Sequence, residues 1–184
     1  MADSLRHRFD IIYVIDTSAS MQGEKIESVN NAMHELERLL KEEAVNNCDN
    51  VHIYIRIITF GGEHASWHLN KATRIKNFSY HDIDAMRGGR TPMGSAFHLL
   101  DQALNSSDLP DNMFPPLIVL LSDGWPTDEW KDELDQLTQH SWGKKPQKSL
   151  LLSENRQTKK FLQLLQKIVT VYWTPIMPMR LQKP

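Results

Sequence analysis

Three stretches of this chain concentrate small oxygen-bearing side chains. Asp16-Thr17-Ser18-Ala19-Ser20 directly follows an apolar run, so the alternate residues Asp16, Ser18 and Ser20 can all point into one concavity. Gly88-Gly89-Arg90-Thr91-Pro92-Met93-Gly94 is a glycine-flanked loop that leaves the Thr91 hydroxyl free to face the same place. Ser122-Asp123-Gly124 ends a second apolar run in a carboxylate. The set Asp16, Ser18, Ser20, Thr91 and Asp123 is all oxygen, with no nitrogen or sulfur. Hard divalent cations suit such a set. Mg²⁺ suits it best, because it keeps several waters and needs few protein carboxylates, with Mn²⁺ or Ca²⁺ as alternatives. Zinc would want His or Cys.

The elements that must carry these residues follow from the hydrophobic pattern. Asp10 to Asp16 and Pro115 to Asp123 are short, nearly continuous apolar runs, which suit strands covered on both faces of a parallel sheet. Val51 to Phe60 alternates first and then turns wholly apolar, which places it nearer the sheet edge, with a weaker strand around Ser66 to Ile75 beyond it. Between the runs the period becomes helical. Ile26, Val29, Met33, Leu36 and Leu40 form one stripe, and Ala96, Leu99, Leu100 and Ala103 form the inner face of a helix opened by Pro92. A third helix is expected to open at Thr127-Asp128-Glu129, which offers a cap and first-turn acids. Strands alternating with helices predict a doubly wound, mostly parallel α/β sheet with helices on both faces, a Rossmann-like arrangement. Ligands of such sheets bind beyond the carboxyl ends of the strands, where the three oxygen-rich stretches fall.

Composition narrows the partners. The 184 residues are 40% hydrophobic and 24% charged, with 21 Lys+Arg against 23 Asp+Glu and a formal charge of −2. A near-neutral, mixed-sign chain has no electrostatic footprint for nucleic acid or a membrane surface. The single cysteine, Cys48, excludes an internal disulfide, argues against a disulfide-linked partner and fits a reducing compartment. With no apolar span and a polar start, the expected location is cytoplasmic.

Asp-x-Ser-x-Ser after an apolar strand, a distant Thr in a Gly-rich loop and a later Ser-Asp-Gly, in that order, resemble the von Willebrand factor A domain with its metal-ion-dependent adhesion site. The resemblance spans about residues 8 to 142, and the chain divides into a domain core with the metal site at 1–142 and a divergent C-terminal segment at 143–184. It implies that Ser18, Ser20 and Thr91 ligate the metal directly, that Asp16 and Asp123 act through water or switch, and that a partner protein supplies an Asp or Glu carboxylate. No catalytic residue is implied. Gly23-Glu24-Lys25-Ile26-Glu27, Thr59-Phe60-Gly61-Gly62, Thr91-Pro92-Met93-Gly94 and Asp123-Gly124-Trp125-Pro126-Thr127-Asp128-Glu129-Trp130 are similar to the small bacterial TerY-like subgroup, named from tellurite-resistance operons and found in stress-response gene clusters.

The competing reading is a metal-dependent phosphohydrolase with Asp16 as nucleophile, but haloacid-dehalogenase-like enzymes place a second Asp where Ser18 stands. Nucleophile-elbow and P-loop patterns are absent from the sequence. His64 and His68 read as surface residues, since two histidines without a third ligand make a weak metal site. Trp125 and Trp130 flank the Asp123 loop, either as a partner-facing anchor or as packing for the loop, and Arg90 reads as a solvated loop charge. Past residue 142 the chain departs from the family. The spacing of Phe161, Leu164, Leu165 and Ile168 after Ser153 allows a divergent helix. The genetic code instead allows a shifted frame that restores a family-like end, with forced steps to Asp across Trp173-Thr174 and Ala across Met177-Pro178. The expectation is a frameshift between Trp142 and Leu151, with an exposed sheet edge and low stability as its consequence.

Overall fold

The computed structural model describes residues 7–46, 51–105, 114, 116–139 and 149–152. Cys48, the proposed C-terminal helix and most of the segment to which the frameshift expectation applies lie outside them. Five strands form one sheet: β1 (His7–Asp16), β2 (Val51–Gly61), β3 (His64–Arg74), β4 (Leu117–Leu121) and β5 (Ser149–Leu152), in the order β3-β2-β1-β4-β5. β1 pairs in parallel with β2 and β4, and β4 with β5, while β3 returns antiparallel at the edge. The doubly wound, mostly parallel reading holds, and the weaker strand after Phe60 is the antiparallel edge.

The continuous apolar character of β1 has a direct cause. Ile11, Tyr13 and Ile15 are buried on one face against Val29, Met33 and Leu36 of α1 (Glu24–Asn46). Ile12 and Val14 are buried on the other, with Met93, Ala96, Phe97 and Leu100 of α2 (Met93–Leu104) and Leu137 of α3 (Lys131–Gln139). A strand with no solvent face has no polar positions to alternate, and each such side chain contributes on the order of 1.5–3 kcal/mol by leaving water. Among the described residues no helix is long and apolar enough to cross a membrane.

One boundary differs from the sequence expectation. α3 opens at Lys131 with Asp132 and Glu133 in its first turn, so Thr127 and Asp128 do not cap it. They are committed across space to the start of α2, as described below.

Candidate metal centre

The strand order reverses at β1: the chain leaves it towards β2 on one side and returns as β4 on the other. The connections after β1 and β4 therefore diverge and open a crevice between their carboxyl ends. Asp16 is the last residue of β1, and Ser122 and Asp123 follow β4, so both carboxylates stand at the mouth of that crevice.

Asp16 is wholly buried, and both of its oxygens are engaged. Oδ1 accepts the Ser18 backbone N–H at 2.8 Å and Oδ2 accepts the Ser122 hydroxyl at 2.6 Å. The first bond folds the chain after β1 into a tight turn, and the second ties that turn to the end of β4. Burial pushes the Asp16 carboxyl above its ordinary value, against the hydrogen bonds from Ser122 and Ser18. Asp123 is the opposite case. Burial acts to raise it too, but the Lys25 ammonium and the Ser20 hydroxyl hold it below its ordinary value.

The two serine hydroxyls form a chain that ends on Asp123. Ser18 Oγ lies 3.0 Å from Ser20 Oγ, and Ser20 Oγ donates to Asp123 Oδ1 at 2.8 Å. A β-carbon built on Gly124 would lie 3.4 Å from Thr91 Oγ1 and 3.9 Å from Ser20 Oγ, so these two hydroxyls face the same side of that glycine. Adjacent oxygens around an octahedral ion with bonds of about 2.1 Å are about 3 Å apart, which is the spacing of the Ser18, Ser20 and Asp123 oxygens. Among the described residues no group of three His, Cys, Asp or Glu is gathered for a metal. The five residues singled out in the sequence are brought to one place, and their chemistry fits a hard cation.

Two features hold the Thr91 loop, and the sequence reading missed both. Thr91 N–H donates to Thr127 Oγ1 and Thr127 N–H to Thr91 O, each at 3.0 Å. Asp128 accepts Gly94 N–H on Oδ1 and Ser95 N–H on Oδ2, each at 2.9 Å. Pro92, at the cap position of α2, provides no side-chain cap, so a carboxylate from another loop satisfies the second and third free N–H groups of that helix. Gly94 permits this approach, because a β-carbon there would lie 2.4 Å from the Glu129 carbonyl oxygen. The first loop is pinned as well: Thr17 N–H donates to Phe60 O at 2.7 Å, and Thr17 O accepts Met86 N–H at 2.8 Å.

The remaining candidates separate. Trp125 is 59% exposed beside the site, whereas Trp130 packs against the α2 side of the core. Arg90 and both His64 and His68 are exposed, with Arg90 bridged through its backbone to Gly62.

No curated protein matches this chain. Solved structures resemble it at low identity. The pilus adhesin SpaC from Lactobacillus rhamnosus GG is 17% identical with a TM-score of 0.51, covering 66% of this chain and 16% of its own. Proximal thread matrix protein 1 from the mussel byssus is 14% identical with a TM-score of 0.50, covering 81% of this chain and 36% of its own. A further structure of that mussel protein has a zinc-occupied MIDAS motif, at 15% identity and a TM-score of 0.48, covering 83% and 36%. The chain spans well under half the length of these proteins. Residues 10–143 match the family model of the von Willebrand factor type A domain, and the chain belongs to that family.

Proposed function

We propose that this domain is a metal-dependent protein-binding module that holds Mg²⁺ at a metal-ion-dependent adhesion site and takes an Asp or Glu carboxylate from a partner protein. The observation that carries the reading is the run of Ser18, Ser20 and Asp123 oxygens at the switch in strand order, spaced 3.0 and 2.8 Å, with Thr91 Oγ1 and Ser20 Oγ both facing Gly124. Ser18, Ser20 and Thr91 are the direct ligands. Asp123 stands beside them, and Asp16 orients the first loop from behind. The cation, when bound, supplies an open coordination position for an external carboxylate oxygen. Neutral hydroxyl ligands leave it electrophilic enough to want one. Trp125, exposed one residue past Gly124, is placed to meet the residues that flank that carboxylate.

We read the chain as a binding module and not an enzyme. A phosphohydrolase would need Asp16 as nucleophile, yet that side chain is fully buried with both oxygens hydrogen-bonded within the protein. The segments shared with the TerY-like subgroup favour a cytoplasmic role in a bacterial stress-response or tellurite-resistance-type system.

Calorimetric titration of Mg²⁺ and Mn²⁺ into the wild type, Ser20→Ala and Asp123→Ala tests the site. One saturable site in the wild type, lost in both variants, is the expected result. Equal binding in all three would place the metal elsewhere and refute the reading. A phosphatase assay on wild type and Asp16→Asn separates the enzyme reading, since turnover that vanishes in the variant would favour it.

A further inference from the structure

Lys25 carries the one ammonium group that reaches the metal centre through a contact seen among the described residues: its Nζ is bonded to Asp123 Oδ2, while Asp123 Oδ1 takes the Ser20 hydroxyl. The Asp123 side chain is only 5% exposed, so this pair is not a loose surface contact. Helix energetics do not explain the lysine. It lies in the first turn of α1, where the N-terminal end of the helix dipole disfavours a cation.

We propose that Lys25 sets the charge of the centre so that the divalent cation and an anionic ligand bind interdependently; this rests on the metal-site reading above. Asp16 and Asp123 alone give a fixed charge of −2, which a divalent cation brings to zero and leaves with no net pull on a carboxylate. With Lys25 bonded to Asp123 the fixed charge is −1, and the loaded centre is +1. The cation is then held less tightly by the protein alone, and an incoming carboxylate completes the neutralisation. Arg87 and Arg90 are exposed in the loop before Thr91, and the Asp128 carboxylate is occupied by the α2 N–H groups. Because coupling between two ligands is reciprocal, a carboxylate ligand must raise cation affinity by the factor by which the cation raises its own.

The test uses Mn²⁺ as probe, titrated at constant ionic strength into wild type, Lys25→Met and Lys25→Arg, with acetate and with chloride as the control anion. Lys25→Met keeps the apolar stem and removes the charge. A unit charge about 5 Å from a divalent ion corresponds to roughly 15-fold in a binding constant at the dielectric of bulk water, which salt screening lowers towards tenfold. Lys25→Met is therefore expected to bind Mn²⁺ alone about tenfold more tightly than wild type and to lose most of the gain that acetate gives the wild type. Lys25→Arg is expected to behave as wild type. Unchanged or weaker Mn²⁺ binding in Lys25→Met, an undiminished acetate gain, or a Lys25→Arg protein that copies Lys25→Met would each overturn the proposal. Where Ser20→Ala still abolishes Mn²⁺ binding, those results leave the metal site standing and remove only the role of Lys25. Failure of every protein to bind Mn²⁺ would refute the metal-site reading, and this inference with it.

Discussion

Replacing Asp128 by alanine is the sharpest probe of how this site is held. Its two carboxylate oxygens take the N–H groups of Gly94 and Ser95, the second and third residues of α2, in a helix whose own cap residue is a proline. Losing a capping side chain costs about 0.5–2 kcal/mol. Losing a negative charge at a helix N-terminus costs about 0.3–1 kcal/mol, and up to about 2 kcal/mol where the pair is partly buried. The two contributions overlap, because the same bonds deliver both, so the expected loss is about 2 kcal/mol. At roughly 2–4 °C per kcal/mol for a chain of this size, that is a fall in Tm of about 4–8 °C. Asp128→Asn keeps one acceptor but turns an amide towards the other N–H, and should lose at least half as much. Urea denaturation followed by circular dichroism measures both. A loss below about 0.5 kcal/mol in Asp128→Ala, or an Asp128→Asn protein equal to wild type, would show that solvent serves these N–H groups equally well and refute the capping argument.

Other perturbations test separate parts of the structure. Gly61→Ala places a β-carbon 2.5 Å from Thr17 Oγ1 and 2.8 Å from the Thr17 carbonyl carbon, so it should cost about 1–3 kcal/mol in urea denaturation, and a neutral result would mean that the loop after β1 yields freely. Trp130→Ala should cost about 2 kcal/mol or more while Trp125→Ala stays within about 0.5 kcal/mol, since only Trp130 packs on the core; equal costs would contradict that division. Glu37 accepts the Tyr80 N–H and pairs with Lys41, and although burial opposes them these contacts hold its carboxyl below its ordinary value. A depressed carboxyl contributes stability above its unfolded pKa of about 4.3 that is lost as pH falls through the folded value, so Glu37→Gln should flatten the stability profile below about pH 5. An unchanged profile would exclude Glu37 as a source of acid sensitivity.

How far the site was legible depended on how each residue earns its place. Asp16, Ser18 and Ser20 lie within five residues behind a strand, and Asp123 directly follows another, so their spacing and the rule for ligand positions in α/β sheets sufficed. Both apolar runs read as doubly covered strands because the core lies on both faces of β1. Thr127 and Asp128 were misplaced for a physical reason. A Thr-Asp pair shortly before a helix has the same local pattern whether it caps that helix or a different one, and only the tertiary structure brings Asp128 to α2. The signal present was Gly94: a glycine in the first turn of a helix marks a close backbone approach, here by Glu129. Lys25 fell within a segment that carries the family resemblance but gave no signal of a role at the site, since a lysine among glutamates at a helix start looks like ordinary surface charge.

The three loops are not equivalent in how they are joined. The segment from Ser122 to Asp128 bonds to each of the other two: Ser122 to Asp16, Asp123 to Ser20, Thr127 to Thr91 and Asp128 to the start of α2. The first loop is tied in addition to Phe60 and Met86, and the Thr91 loop to Gly62 through Arg90. Removing the 122–128 segment from its place would therefore break the side-chain bonds of Ser122, Asp123, Thr127 and Asp128 that bracket the serine and threonine loops. Its backbone enters from β4, the strand paired with β1 in register from Ile11 to Ile15, so the segment inherits a fixed origin from the centre of the sheet. The proposed ligands lie on two loops, and a common bracket on a third ties those loops together. A cation that needs several oxygens about 3 Å apart at once gains from such a bracket, because the ordering of those side chains is supplied by folding and not by the binding step.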